Sequence, residues 1–361
     1  MNSDFIAALD QLETERGISS VILLKAIEAA LISAYKRNFN SAQNVRVDID
    51  RLTGEMKVYA RKTVVDEPKD PRLDISLDAA LDINPNYQLG DIVELEVTPR
   101  DFGRIAAQTA KQVVTQRIRE AERGIIYSTY ADMEEDIISG IVARQDGRFS
   151  YVDLDRTEGL LPVTEQIPSE KLHMGDRIKA FILRVEKTTK GPQILLSRIH
   201  PGLLRRLLEL EVPEIFDGIV EVKAVAREAG ARSKVAVFSR NKDVDPIGAC
   251  VGPKGMRIQA VVYELKGEKI DVIEWSNDPA IFVASALSPA KVVDVEVLEG
   301  EKTARVIVPD HQLSLAIGKE GQNARLAAKL TGWKIDIKSE SQVGRMASVF
   351  ADLDKDSLFT D

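Results

Sequence analysis

Two short glycine loops carry the residue types and the spacing that best suit a chemical task in this sequence. They occupy residues 252–255 (Gly-Pro-Lys-Gly) and 318–321 (Gly-Lys-Glu-Gly), and each precedes an amphipathic segment. Glycine lets the backbone approach a ligand closely, and N–H groups at the start of a helix are unpaired and lie at the positive end of its dipole. Both loops are therefore predicted to grip the phosphate backbone of a nucleic acid.

The sequence around the loops repeats as well. Ile258, Val261 and Leu265 follow the helical period after the first loop, and Ala324 and Ala327 begin the same pattern after the second. Two alternating apolar segments precede each loop, and a strand-like segment follows each helix. The order helix, strand, strand, helix, Gly-x-x-Gly, helix, strand is typical of the type II KH fold, whose loop clamps four nucleotides of single-stranded RNA. Since glycine marks many turns, a duplicated turn without a ligand is the alternative.

Composition limits the class of protein. The chain has 361 residues, 44% hydrophobic and 29% charged, which is typical of several globular domains. The single cysteine, Cys250, excludes an internal disulfide framework and a multi-cysteine zinc cluster, and a small core side chain is its expected role. The sequence contains no long apolar run, so we expect no membrane span and a cytoplasmic location.

The net charge of −8 argues against a protein that coats nucleic acid indiscriminately. Basic residues nevertheless gather beside the first loop, where only Asp243 and Asp245 oppose them. This local patch favours a defined RNA path, although a solvated strand face is the alternative. The patch consists of Arg232, Lys234, Arg240, Lys242, Lys254 and Arg257.

Residues 127–200 contain five short strand-like segments with turns between them, which predicts a small barrel of the OB type. Phe149 and Tyr151 alternate on one face of the second segment. They are expected either to stack RNA bases or to fill the barrel core, which needs large side chains. The stretch resembles an S1 domain, but Pro162 stands where many S1 domains carry a histidine, so no base contact is implied there.

Residues 1–126 are predicted to form a separate α/β unit. Ser3 is expected to cap a first helix that ends at Gly17, and a second helix begins near Ser19. A hairpin and a further strand follow. The last helix is predicted from Ile105 to about Arg123, and the unit contains no catalytic constellation.

The order of N-terminal unit, S1, KH and KH resembles the NusA family of bacterial transcription factors, and local motifs support the resemblance. The fold class is therefore expected to be multidomain α+β, with an α/β unit, an OB-type barrel and two tandem type II KH domains. The motifs lie at residues 165–168 (EQIP), 175–178 (GDRI), 191–194 (GPQI), 211–215 (EVPEI), 222–227 (VKAVAR), 244–252 (VDPIGACVG), 312–318 (QLSLAIG) and 332–337 (GWKIDI).

The resemblance implies a factor that acts on RNA polymerase. In the family, the N-terminal unit docks near the RNA exit channel while S1 and KH domains hold nascent single-stranded RNA. This promotes pausing and intrinsic termination, and it supports antitermination together with other Nus factors and ribosomal protein S10. The implied domains are an RNA polymerase-binding domain at 1–126, S1 at 127–200, KH domains at 201–276 and 277–345, and a short tail at 346–361.

Two other functions remain as alternatives, an exoribonuclease of the polynucleotide phosphorylase type and a ribosome-associated RNA-binding protein. The segment before S1 is too short for paired phosphorolytic domains, and none of His173, His200 and His311 has the spacing of a metal cluster. We therefore expect a monomeric protein that is not an enzyme and has no cofactor, catalytic residue or metal site. The residues expected to bind RNA are Gly252, Pro253, Lys254, Gly255, Arg257, Gly318, Lys319, Glu320, Gly321, Arg325, Phe149 and Tyr151.

Overall fold

The computed structural model describes residues 3–39, 44–51 and 53–343, so the predicted tail at 346–361 lies outside the described residues. The chain divides into two compact units, with the division between Ile126 and Tyr127. None of the described helices is both long enough and apolar enough to cross a membrane.

The first unit is a four-stranded sheet with helices. Strand β2 pairs antiparallel with β1 and β4 and parallel with β3. The main core lies between β1, β2 and the helices α1, α2 and α4, and Leu23, Ile27, Val58 and Phe102 are buried there. The elements are α1 (Ser3–Arg16), α2 (Ser20–Asn38), β1 (Val45–Ile49), β2 (Met56–Val65), β3 (Asp74–Ser76), α3 (Leu77–Ile83), β4 (Ile92–Glu96) and α4 (Phe102–Ala131).

The boundaries of two helices differ from the sequence prediction, and α4 begins at Phe102 rather than at the predicted Ile105. Ser3 is the first described residue of α1 rather than a cap before it. Helix α4 continues to Ala131, past the predicted end near Arg123. The residues of α4 from Tyr127 onward belong to the second unit, where the buried Tyr130 hydroxyl donates a hydrogen bond to the carbonyl oxygen of Leu154 at 2.8 Å.

The second unit begins with a closed five-stranded barrel in the order β5-β6-β7-β9-β8, with β5 pairing β8. Gly140 and Gly159 lie at positions in the barrel wall where there is no space for a side chain. A Cβ atom on Gly140 would meet Val152 Cγ1 at 2.4 Å, and one on Gly159 would meet Leu196 Cδ1 at 2.6 Å. The strands are β5 (Ile137–Gln145), β6 (Phe149–Asp153), β7 (Glu158–Pro162), β8 (Arg177–Thr188) and β9 (Gly191–Ser197).

Two similar α/β domains follow the barrel, and their element order confirms the predicted type II KH arrangement. In each, the middle strand pairs antiparallel with the strand before it and parallel with the last strand. The first contains α5 (Pro201–Glu211), α6 (Pro213–Phe216), β10 (Val220–Glu228), β11 (Arg232–Ser239), α7 (Pro246–Val251), α8 (Met256–Glu264) and β12 (Lys269–Glu274). The second contains α9 (Pro279–Ala286), β13 (Asp294–Leu298), β14 (Thr303–Val308), α10 (Leu313–Ile317), α11 (Gln322–Thr331) and β15 (Lys334–Ser339).

A buried arginine joins the barrel to the first KH domain. The Arg198 side chain is fully buried and forms a bidentate pair with Glu170, at 2.6 and 2.8 Å. It also donates to the carbonyl oxygens of Lys179 in the barrel and of Glu264 at the end of α8. The buried Phe181 of β8 belongs to the same hydrophobic core as α5. The joint is therefore a packed interface rather than a flexible linker.

The two KH domains share a second core. Ala226 and Ala236 of the first sheet are buried together with Leu326 and Ala327 of α11. The buried Lys234 donates to Asp271 at 3.2 Å in its own domain and to the Ser288 carbonyl of the next domain at 2.7 Å. Burial lowers the pKa of Lys234, and the Asp271 carboxylate opposes this change.

A buried ion pair holds the first KH domain together. Glu268 forms two bonds of 2.9 Å to Arg227, and both side chains are fully buried. Ser233 and the Gly230 amide also donate to this carboxylate, at 2.6 and 2.9 Å. Burial alone would raise the pKa of Glu268, but the bonds and charge of Arg227, together with the bonds from Ser233 and the Gly230 amide, outweigh it and hold that pKa below its ordinary value.

The variant Glu268→Gln is expected to destabilise the chain by about 3–5 kcal/mol, because it leaves the Arg227 charge buried without a countercharge. Urea unfolding at neutral pH would measure this. Because the folded pKa is lowered, the contribution of Glu268 is present above its unfolded pKa and is lost as pH falls through the folded value. The control Glu296→Gln, in an exposed pair with Arg305, should leave stability nearly unchanged. Equal unfolding curves for both variants would contradict the assignment.

Candidate nucleic-acid interface

The two glycine loops have almost the same backbone conformation. Gly252 has φ 72° and ψ 174°, and Gly318 has φ 76° and ψ 173°. Each ends a short helix and leads into one turn of 3-10 helix, after which Gly255 and Gly321 begin α8 and α11 with φ 76° and 75°. The repeat predicted from the sequence is thus a repeat in three dimensions.

Glycine is required at the first position of each loop for two reasons. The positive φ with extended ψ is a region that residues with a side chain rarely adopt. A Cβ atom would also collide with the helix that follows, at 2.6 Å from Arg257 Cγ in the first loop and at 2.8 Å from the Asn323 backbone nitrogen in the second. The loop backbone therefore lies directly against the first turn of its helix.

The loop tips differ in charge although their geometry agrees. Lys254 has φ 54° and ψ 23°, and Glu320 has φ 53° and ψ 26°, so both occupy the left-handed region. Both side chains are exposed, as are those of Pro253 and Lys319. The first loop thus presents a cation at its tip and the second presents a carboxylate beside a lysine.

Both arginines predicted to support the loops are engaged in ion pairs within the protein. Arg257 Nη1 donates to Glu214 at 2.8 Å and to the carbonyl oxygen of Ala249 at 2.7 Å. Arg325 Nε donates to Glu228 at 2.7 Å, and this bond raises the pKa of the guanidinium. These bonds fix the loops within the protein. The acidic partners could not be identified from the sequence, because they lie far away in the chain.

The predicted basic patch is largely neutralised, which corrects the interpretation based on sequence. Arg232 and Lys234 both pair with Asp271, Arg240 pairs with Glu221, and Arg257 pairs with Glu214, while Lys234 is also fully buried. Strand pairing and helix packing bring these acids beside the cations, although 19 to 43 positions separate them. Lys254 at the loop tip is left as the prominent exposed cation of the first loop itself.

The barrel presents its aromatic pair on the outside. Ser150 and Val152 of β6 are buried, while Phe149 and Tyr151 are half-buried on the opposite face, so the barrel-core alternative is wrong. The two rings lie 6.2 Å apart between centroids. The inward positions are occupied by alternate residues, and the Ser150 hydroxyl accepts hydrogen bonds from two glutamine side chains there.

An arginine that the sequence did not single out completes the aromatic face. The Arg144 guanidinium lies 3.3 Å from the centroid of the Tyr151 ring and also pairs with Glu158 at 2.8 Å. The Tyr151 hydroxyl donates to Asp146 at 2.9 Å; the backbone N–H groups of Arg148 and Phe149 lower the pKa of Asp146 most, and the Tyr151 bond adds to this lowering. The ring is thus fixed at its edge and covered by a cation, an arrangement suited to stacking a base and contacting a phosphate.

Residues 3–39, 44–51 and 53–343 offer little evidence for a metal site or a reactive thiol. No group of three or more His, Cys, Asp or Glu side chains could hold a metal ion there. Cys250 is completely buried in the first KH core, and burial raises the pKa of its thiol to about 12. The thiol is therefore unreactive at neutral pH, as expected of a core side chain.

The barrel and the two domains that carry the glycine loops define a protein built from RNA-binding modules. In the sequence, these modules follow a separate N-terminal unit. Family models match along the chain, and their order repeats the order of the modules. The matches are the NusA N-terminal domain at residues 4–124, the S1 RNA binding domain at 131–197, the NusA-like first KH domain at 198–275 and the NusA-like second KH domain at 279–345.

The chain belongs to the NusA family. A relative from Halalkalibacterium halodurans is 69% identical over 342 residues, which cover 95% of this chain and 90% of the relative. A relative from Bacillus subtilis is 65% identical, covering 100% and 98% of the two chains. One from Thermus thermophilus is 47% identical, covering 93% and 89%. All three bear the name transcription termination/antitermination protein NusA, which is the name of a transcription factor and not of an enzyme.

Replacing both residues inside each loop by aspartate is expected to weaken RNA binding. Asp at positions 253, 254, 319 and 320 keeps the glycine conformations but repels phosphate, so affinity for single-stranded RNA should fall about tenfold or more. Fluorescence anisotropy at fixed salt would measure it. Pro68 and Lys69 are exposed in the first unit, and their replacement by aspartate provides a control with the same residue types. Equal affinity of the folded loop variant and the control would refute the loop assignment.

The variant Tyr151→Ala is expected to lower RNA affinity about tenfold, since loss of one stacked base has an effect of this order. Tyr151→Phe keeps the ring and loses only the bond to Asp146, so it should bind nearly as well as the native chain. Phe149→Ala should resemble Tyr151→Ala. If the alanine and phenylalanine variants at position 151 bound equally, the ring would have no stacking role.

Proposed function

We propose that the chain acts in transcription termination and antitermination by holding nascent single-stranded RNA on the barrel and on the two KH domains. The observation that carries this proposal is the pair of glycine loops with matching conformations, each placed at the start of a helix. Backbone N–H groups at such a position suit phosphate oxygens. The proposed RNA contacts are those predicted from the sequence, with Arg144 added.

The first unit is the proposed binding site for RNA polymerase. It has its own hydrophobic core and contains no Gly-x-x-Gly loop. Large apolar side chains are exposed between residues 73 and 92, which is unusual for a surface that stays in water and favours a protein partner. These side chains are Leu73, Leu81, Ile83, Leu89 and Ile92.

With these proposed contacts the chain would act on a transcribing polymerase, where it would prolong pauses and promote intrinsic termination. We propose that it acts as a monomer in the cytoplasm, where bacterial polymerase works, and that other Nus factors and ribosomal protein S10 join it in antitermination. The proposed domain limits are 1–126, 127–200, 201–276 and 277–345, with the tail at 346–361.

The test is a pausing assay with purified RNA polymerase, with and without the full chain. The chain is expected to lengthen the lifetime of pauses, and the variant with aspartates in both loops should lose most of this effect because nascent RNA is no longer held. A fragment of residues 1–126 should bind polymerase but bind RNA poorly.

Two results would contradict the proposal. One is a pause lifetime unaffected by the full chain, and the other is a 1–126 fragment that binds RNA as tightly as the full chain. Recovery with ribosomes but not with polymerase would favour the ribosome-associated alternative, and phosphate-dependent decay of RNA would favour the exoribonuclease.

A further inference from the structure

The second glycine loop is held by a residue of the other KH domain. Glu228, the last residue of β10 in the first domain, accepts hydrogen bonds from Arg325 Nε at 2.7 Å and from Gln322 Nε2 at 2.9 Å. Arg325 Nη1 in turn donates to the backbone carbonyl oxygen of Glu320 at 3.2 Å. A chain of hydrogen bonds therefore runs from the first KH sheet to the tip of the second loop.

The first loop has no such dependence on a neighbour. Its arginine, Arg257, binds the carboxylate of Glu214 and the carbonyl oxygen of Ala249, and all three residues belong to the first KH domain. In the second domain Asn323 occupies the position of Arg257, next to the loop glycine. Its amide donates to the carbonyl oxygen of Ala316, but it is too short to reach a distant carboxylate.

We propose that Glu228 is a positioning residue for the second RNA-binding loop, so that the second KH domain binds RNA fully only when the first is docked against it. This inference rests on the proposed function, because it takes the loop to be an RNA site. It adds that this site is built from residues of two domains, which neither the loop sequence nor the KH fold requires.

The physical reason lies in the conformation of the loop tip. Glu320 has a side chain and yet adopts φ 53°, which is an unfavourable region for such a residue. The bond from Arg325 to its carbonyl oxygen orients this peptide. Arg325 is half exposed, and without a partner its side chain could turn toward solvent. Glu228 accepts hydrogen bonds from both Arg325 and Gln322, so it fixes the Arg325 side chain and the first turn of α11.

The lowered pKa of Glu228 agrees with a carboxylate that stays charged at neutral pH. The hydrogen bond from Arg325 lowers the pKa of Glu228, burial opposes this, and the bond from Gln322 adds to the lowering. The carboxylate is therefore ionised throughout the neutral range. The shared core of Ala226, Ala236 and Leu326 lies under this contact, so the carboxylate and α11 keep a constant separation while the domains stay packed.

The opposite role is also physically possible, since Glu228 neutralises a cation that could otherwise contact phosphate. The two roles predict opposite signs. If Glu228 positions the loop, removing its carboxylate loosens the loop and weakens RNA binding. If it only masks Arg325, removing it releases a cation and strengthens RNA binding.

The experiment compares Glu228→Ala and Glu228→Gln with Glu221→Ala in the full chain. Glu221 is a matched control because it lies on the same strand and pairs with Lys223 and Arg240 of its own domain. Hydrogen exchange would be followed in peptides covering residues 318–322, and affinity would be measured for a single-stranded RNA long enough to span both loops.

In Glu228→Ala the loop amides are expected to exchange several-fold faster and RNA affinity to fall about tenfold, while exchange of the loop amides stays unchanged in Glu221→Ala. Glu228→Gln keeps acceptor geometry without charge and should lie between. Arg325→Lys should behave like Glu228→Ala, because one ammonium replaces a planar fork that bridges two acceptors.

Unchanged loop exchange in Glu228→Ala, or tighter RNA binding by that variant, would overturn the inference. Exchange in peptides of the shared core reports whether each variant is folded, and Glu228→Gln provides a milder change if the alanine variant is not. If the native chain bound no RNA, the proposed function would fail, while the exchange of the loop amides would still decide the role of Glu228.

Discussion

The proposed RNA-binding surface of this protein depends on a backbone conformation that only glycine adopts readily. At Gly252 and Gly318 the chain leaves one helix and turns at once into the next with a positive φ and an extended ψ. Any side chain there would collide with the helix that follows. The constraint places the loop backbone at the helix start, where unpaired N–H groups can meet phosphate oxygens.

The two loops can act together on one ligand only if the distance between them is constant. Buried charged groups help to keep that distance constant. Arg198 links the barrel to the first KH domain, and Lys234 links the first KH domain to the second. A buried charge without its partners is strongly unfavourable, so each domain interface has few alternative arrangements. The hydrophobic cores shared across both joints provide the stabilisation, and the buried charges select the geometry.

Much of this fold could be predicted from the sequence, because its signals are local. The Gly-x-x-Gly loops, the helical period after them and the alternating strands of the barrel each depend on neighbours within a few residues. What could not be predicted depends on tertiary pairing. The cations near the first loop find acids such as Asp271 and Glu221 only after strands have paired, so the basic patch of the sequence is largely neutralised in the structure, although Lys242 and Lys254 stay exposed.

The face of the barrel strands was uncertain for a related reason. Alternation predicts that Phe149 and Tyr151 lie on one side of β6, but it does not say which side faces inward. Barrel closure decides this by burying Ser150 and Val152. The end of α4 is similar, because the Tyr130 hydroxyl near that end bonds to Leu154, which lies 24 positions further along the chain. In both cases the missing information is a contact between elements that are distant in sequence.

Neutralisation of the patch also bears on how an acidic chain would bind RNA at the proposed loops. A protein with a net charge of −8 repels nucleic acid at long range, so contact must come from a few positioned groups rather than from a general field. The prominent exposed tip cations are Lys254 and Lys319, and the remaining donors are backbone N–H groups whose reach is short. Groups of this kind favour a flexible single strand that can follow the loops closely. A stiff duplex would meet the repulsion of the whole surface and gain little from them.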